Sequence, residues 1–436
     1  MKKTNKKTKK GAASFYVVAF STLVLMIIAT SFAAIIISEV TRTSNDDLAQ
    51  SAYDSAMAGV EDAKLAYYNY QNCIIQRQNG SSEEAMEKYG CNEIFSYFDN
   101  QSDDCDMVAK IIGRDTGSVV IDESKNVGNN LQQAYTCVTM TDQTPGYTAT
   151  LSQSDLIRVV KVKFEDGVTA DEIGKVRLNW YSDSDSTGLR TYNNYDALGN
   201  VIFPDTLTTV STPPTLSLAM VQTANDYKMT DFDTSVGDKT NRAMVYLVPT
   251  KNGSSGKSGN HISATGNNIT KEQFAKSNDK KPTNLPFTVD CNEDTTYACS
   301  ATIELPDPVG AADPTGHVVR NDDTFIFVVG LPYGKPQTSF LLEFLCKDGT
   351  TCKSCTASDP NCTEITSGSV VDLKGVQLQV DSTGRANDLY RRLSVTLDNR
   401  QDYSLSLLGP LELLNDGSNE SLVKDYTVLQ EYNFFP

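Results

Sequence analysis

The sequence predicts an α+β protein. A long N-terminal helix, first transmembrane and then amphipathic, packs on an antiparallel sheet, and a further strand-rich, disulfide-stapled lobe follows. Three observations predict it: an uninterrupted apolar run near the N-terminus, a helical repeat that continues beyond it, and many short strand-like segments with ten cysteines among them.

The chain opens with a leader carrying six lysines and no acid, then Gly11-Ala12, then an apolar run. From Phe15 to Ile37 there is no charged residue and no proline. About 20 apolar residues at about 1.5 Å each span a bilayer core of roughly 30 Å. The lysines are expected to stay on the cytoplasmic side, so the chain after Ile37 should lie outside the cytoplasm. A secretory signal peptide is cut after its apolar region. The small pair Gly11-Ala12 precedes this one, so cleavage there would remove only the leader.

The helical pattern continues past the apolar run. Ala49, Ala52, Ala56, Val60, Ala63, Tyr67 and Tyr70 recur at three- and four-residue steps, with acids and other polar residues between them. The first proline is Pro145. One helix of about 55 residues, from Phe15 to about Tyr70, is the expectation, and Gly59 costs it about 1 kcal/mol without ending it. Its alanine-rich face permits close approach of another helix or sheet.

This apolar-then-amphipathic helix resembles the N-terminal helix of type IV pilins and type II secretion pseudopilins. The segment from Ala49 to Ala63 (AQSAYDSAMAGVEDA) is similar to a stretch of PilX-type minor pilins and of the K-type tip pseudopilin. Val380-Asp-Ser-Thr-Gly-Arg-Ala386, followed by Arg391-Arg392-Leu393, resembles the turn and basic strand of the same group. The resemblance implies cleavage between Gly11 and Ala12 by a prepilin peptidase. It also implies packing against other pilin-like subunits through the helix, with Ala49, Ala52, Ala56, Val60 and Ala63 as the filament-packing face. Major pilins carry a glutamate at the fifth mature position. Here that position is Tyr16, and the first acid after the junction is Glu39. The resemblance implies that tip subunits also lack it, so the expected role is a minor, tip-associated subunit of a type IV pilus or related filament, acting in assembly initiation or adhesion. The alternative is a single-span, membrane-anchored extracytoplasmic binding protein outside any filament.

The regions expected are the leader 1–11, the helix 12–75, a first strand-rich region 76–250, a polar linker or loop 251–284 and a second strand-rich region 285–436. Candidate strands include Ser118–Asp122, Tyr135–Thr139, Leu156–Phe164, Lys175–Trp180, Met244–Val248, Phe287–Asp290, Thr324–Val329, Phe340–Leu345, Val370–Leu373, Val376–Val380, Arg392–Leu397 and Asp425–Leu429. The ten cysteines are Cys73, Cys91, Cys105, Cys137, Cys291, Cys299, Cys346, Cys352, Cys355 and Cys362. Four precede the linker and six lie beyond it, as expected if each lobe closes its own bridges outside the cytoplasm. Zinc at Cys346, Cys352, Cys355 and Cys362 is the rival reading, but a structural site usually has two pairs separated by a longer loop.

The chain carries 38 basic and 55 acidic residues, and all six leader lysines fall before the helix. The remainder is strongly acidic, which disfavours nucleic acid as a direct ligand of the head. The two histidines, His261 and His317, stand in no metal-ligand or catalytic spacing. Gly253-Ser-Ser-Gly-Lys-Ser258 has Lys251 where a P-loop needs its first glycine. Asp183 and Asp185 could supply oxygens to calcium but lack the bidentate glutamate of an EF-hand. No enzyme activity and no cofactor are expected. The ligand of the head is not named by any motif.

Overall fold

The computed structural model describes residues 12–398 except 79, 81, 100–103, 115–118, 121–132, 165–167, 183–199, 201–212, 223, 225–234, 238, 251–260, 265, 275–285, 293–295, 311–324, 333–336, 348, 350–351 and 357–358. The candidate strand Asp425–Leu429 lies outside the described residues.

Helix α1 (Ala12–Gln78) is one rod of 67 residues, about 100 Å long at the standard rise. It outruns the expected 55 residues because no strong breaker occurs before Gly80, whose φ of +72° suits glycine. Three short helices come next, α2 (Glu83–Lys88), α3 (Cys91–Asp99) and α4 (Met107–Ile112). The region expected to be strand-rich, 76–250, thus opens with helices ahead of its first strand. The sequence shows little sign of them: α3 buries Ile94, Phe95 and Phe98, a three- and four-residue spacing held in only nine residues.

Strands are numbered in chain order. The first sheet has β1 (Val119–Val120), β2 (Ala134–Thr144), β19 (Leu373–Ala386) and β20 (Leu389–Asp398), in the order β1-β2-β19-β20 and antiparallel throughout. Helix α1 packs on β2, β19 and β20. Val380-Asp-Ser-Thr-Gly-Arg-Ala386, expected at a turn, lies inside β19. The turn falls at Asn387-Asp388, where Asn387 takes a φ of +53°, a conformation asparagine tolerates.

Between β2 and β19 the chain builds a β-sandwich. One layer runs β10 (Ile262–Ser263), β12 (Phe287–Asp290), β9 (Arg242–Thr250), β6 (Leu216–Val221), β14 (Ile326–Gly330) and β4 (Ile157–Lys161). The other runs β11 (Asn268–Ile269), β13 (Tyr297–Glu304), β5 (Ile173–Ser182), β15 (Thr338–Cys346) and β18 (Val370–Val371), with β3 (Tyr147–Leu151) also paired to β15. Most pairings are antiparallel, but β10, β12 and β9 pair in parallel, as do β11 and β13. Alternating burial along β13 and β15 turns Ala301, Ile303, Phe340, Leu342 and Phe344 inward. Phe327 and Phe344 meet edge to face across the layers, 5.0 Å between centroids. Two hairpins, β7 (Ser235–Val236) with β8 (Lys239–Thr240) and β16 (Cys352–Thr356) with β17 (Asp359–Ile365), a one-turn helix α5 (Lys271–Phe274) and a short 3-10 helix at Ala170–Glu172 complete the described elements.

The boundary read at 251–284 therefore falls within one sheet, since β9 before it pairs with β12 after it, Leu247 opposite Phe287. Polar composition signalled a chain excursion, and the strands on either side of it share a core.

The sandwich continues directly into the first sheet. Leu373 and Val376, at the start of β19, belong to the sandwich core, whereas Leu378 and Val380 face α1. Gly375, with φ +70°, sits where the register shifts. Beside it the Gln377 amide donates to the Thr148 carbonyl and accepts from the Thr148 N–H, at 2.7 and 2.9 Å, as a neighbouring strand would.

Candidate functional site

Helix α1 has two halves that differ in what covers them. Every residue from Phe15 to Asp47 is exposed. This part holds the one helix window, among the described residues, that is long and apolar enough to cross a membrane. The four serine and threonine hydroxyls between Phe15 and Ile37 are satisfied within the helix. Ser21 donates to the Val18 carbonyl, Thr22 to Ala19, Thr30 to Met26 and Ile27, and Ser31 to Ile27, at 2.8–3.0 Å. Polar groups paired in this way can enter hydrocarbon without an unmet hydrogen bond. Tyr16 is exposed with its ring edge-on to Phe15, and no carboxylate precedes Glu39 after the described start of the helix. Of the expected processing pair, Gly11 and the Ala12 side chain lie outside the described residues.

The second half is seated on the first sheet. Ala52, Ala56, Val60, Ala63 and Ala66 are buried, with Ala49 at the margin. The face expected to pack against other subunits is thus covered by the chain's own sheet, because small side chains let a helix backbone approach a sheet as readily as another helix. Two glycines set the distance. A Cβ on Gly384 would stand 2.1 Å from the Ala52 carbonyl oxygen and 2.3 Å from the Ala56 nitrogen. A Cβ on Gly59 would stand 2.4 Å from Ser382 Oγ and 2.7 Å from a Val138 methyl carbon. Ser382, fully buried, donates its hydroxyl to the Ala56 carbonyl at 2.8 Å. The two segments, Ala49–Ala63 and Val380–Ala386, therefore touch each other.

One turn further along α1, Asp62 is buried and accepts from the Tyr135 hydroxyl at 2.7 Å and from the Arg114 guanidinium at 3.0 Å. Burial, and then the hydrogen bond to Asp62, push the Tyr135 phenol well above its usual pKa, while Arg114 opposes. No local pattern announces this group, whose members are 52 and 73 residues apart from Asp62. Beyond it Tyr70 stacks on Phe98 at 3.8 Å, and Arg77 lies over Phe95 at 4.1 Å. Disulfides Cys73–Cys91 and Cys105–Cys137 tie α1 to α3, and the loop just ahead of α4 to β2.

In the sandwich, Cys291 is bridged to Cys299 and Cys346 to Cys352. The last pair removes two of the four sulfurs that a zinc reading would use. The side chains of Cys355 and Cys362 lie outside the described residues, as do Asp183, Asp185, His317 and the Gly253–Ser258 segment. His261 is buried, which lowers its pKa. Among the described residues no group of three His, Cys, Asp or Glu side chains is placed to hold a metal ion. The chain matches no protein-family description, no curated protein and no solved structure.

Proposed function

We propose that the protein is a minor, tip-associated subunit of a type IV pilus or related filament, acting in assembly initiation or adhesion. The observation that carries this reading is the unbroken α1. A bare apolar half continues without a hinge into a half fixed to the head by the Gly59 and Gly384 contacts. A tether needs only a span and a flexible joint. A rod rigid with its head sets the head's position relative to whatever the apolar half packs against.

In this reading the leader is cut between Gly11 and Ala12 by a prepilin peptidase, and residues 15–37 hold the subunit in the cytoplasmic membrane. The apolar half then exchanges lipid for neighbouring subunits. With Ala52, Ala56, Val60 and Ala63 committed to the chain's own sheet, the remaining contact surface is that half and the outward residues Tyr53, Leu65, Tyr68 and Ile75, all exposed. Tyr16 supports an end position, since a tip subunit need not neutralise a neighbour's N-terminal amine. The same tyrosine favours the second reading, a membrane-anchored binding protein outside any filament.

N-terminal sequencing of native protein extracted from membranes tests the processing step. A start at Ala12 supports the filament reading, and a start at Met1 overturns it. Shearing intact cells separates the two readings: a filament subunit leaves with the sheared material, and an anchored protein stays with the membrane.

A further inference from the structure

We infer that Cys73–Cys91 and Cys105–Cys137 form a covalent strap that carries tension between helix α1 and the sandwich. The strap acts in the same way whether α1 rests in a bilayer or in a filament.

The sandwich joins the rest of the fold through two neighbouring strands. The chain enters it from β2 at Thr144 and leaves it into β19 at Leu373. β19 continues through β20 to the C-terminal residues, so the backbone link from the sandwich back to α1 runs through β2 and residues 79–133. Both described bridges outside the sandwich fall on that link, one after the other. The other two described bridges close within the sandwich.

Load on the sandwich reaches α1 along the helix axis. Ser382 meets Ala56 and Gly384 meets Ala52, so β19 runs antiparallel to α1, and β2 runs antiparallel to β19. A pull on the sandwich therefore shears the α1–sheet face, where packing, the Ser382 bond and the Asp62 group act beside the strap among the described residues. The sandwich and the first sheet share β19 and the Gln377 clamp, which leaves the α1–sheet face as the place where the helix parts from both.

The strap shortens the tether that remains once that face has parted. With both bridges closed, a helix pulled from the sheet stays connected through the 14 residue steps from Cys91 to Cys105, about 50 Å when extended. With both open, the connection is the 64 residue steps from Cys73 to Cys137, about 220 Å. Effective concentration falls roughly as the −3/2 power of tether length. The strapped helix then returns to its seat about tenfold faster.

Single-molecule tweezers on the full chain in detergent test this, with one handle at the N-terminus and one on a tag inserted between Gln153 and Ser154, both exposed. The separation step should lengthen by about 60 Å in a Cys73→Ser/Cys91→Ser variant and by about 110 Å in a Cys105→Ser/Cys137→Ser variant, matching the 18 and 32 residues released. Re-docking after the force is dropped should slow in both. Should a variant fail to fold, wild-type chain reduced after folding replaces it, with alkylation counting the opened thiols. Equal step lengths and equal re-docking rates in closed and opened chains overturn the inference. So does a sandwich that opens while α1 is still seated.

Discussion

Gly384 lies against the backbone of helix α1 at Ala52, 332 residues earlier in the chain, with no room for a side-chain carbon between them. The contact is backbone to backbone, so neither side can yield by changing a rotamer. Gly384→Ala should displace the helix and cost about 1–3 kcal/mol, the usual range for overpacking. Ser394→Ala, on the exposed face of β20, serves as the control and should cost less than about 0.5 kcal/mol. Thermal or denaturant unfolding in detergent measures both. Equal midpoints for the two variants would show that the seat at Gly384 has room for a methyl group.

Tyr135 and Asp62 predict an alkaline signature. The folded state raises the phenol above the value near 10 of an unfolded tyrosine, by burial and by the bond to the Asp62 carboxylate. A raised pKa means that the folded state holds the proton more tightly. The stabilisation is therefore whole below about pH 10 and is lost as pH rises from there through the folded phenol's higher pKa. Tyr135→Phe should lower stability at pH 7 by about 1.5–3 kcal/mol, the range for a hydrogen bond to a charged group. It should also lose less than wild type between about pH 9 and 12. Parallel stability curves for the two proteins over that range would refute the assignment.

The sequence exposed those features whose pattern is local and long. The three- and four-residue steps from Ala49 to Tyr70 reported the seated face of α1, and the charge-free run from Phe15 reported the bare half. Phe287–Asp290 was readable as a short apolar segment set between polar stretches, and it forms β12. α3 was not, because nine residues hold too few periods to separate a helix from a strand. The interleaving of strands across 251–284 was also hidden, since pairing between Leu247 and Phe287 leaves no mark in either segment alone. The role of the small face depends on its partner. Ala52 and Ala56 announce a close approach, but only the position of Gly384 shows that the approach is to the chain's own sheet.

The β16–β17 hairpin predicts a fifth bridge. Cys352 pairs with Ile365, Lys353 with Glu364 and Ser354 with Thr363; the register then shifts before Thr356 pairs with Asp359, and Cys355 and Cys362 fall on opposite strands within that shift. Non-reducing peptide mapping of protein secreted through an oxidising compartment should therefore recover Cys355–Cys362 beside the four described bridges. Recovery of either cysteine as a free thiol, or paired elsewhere, would overturn this assignment.

The bare half of α1 predicts what the head does without it. Residues 15–47 are exposed throughout, so their removal takes no side chain from either hydrophobic core. A chain beginning at Thr41 keeps about two turns of helix ahead of Leu48, where coverage begins, which absorbs fraying at the new end. It also keeps Asp62, Gly59 and both bridges of the strap. Such a chain should be soluble without detergent and should melt within about 2 °C of the full chain, as expected when only uncovered residues are lost. Size-exclusion chromatography and thermal unfolding followed by circular dichroism measure the two properties. A drop of more than about 5 °C would mean that the apolar half supports the head, against the exposure seen along its whole length.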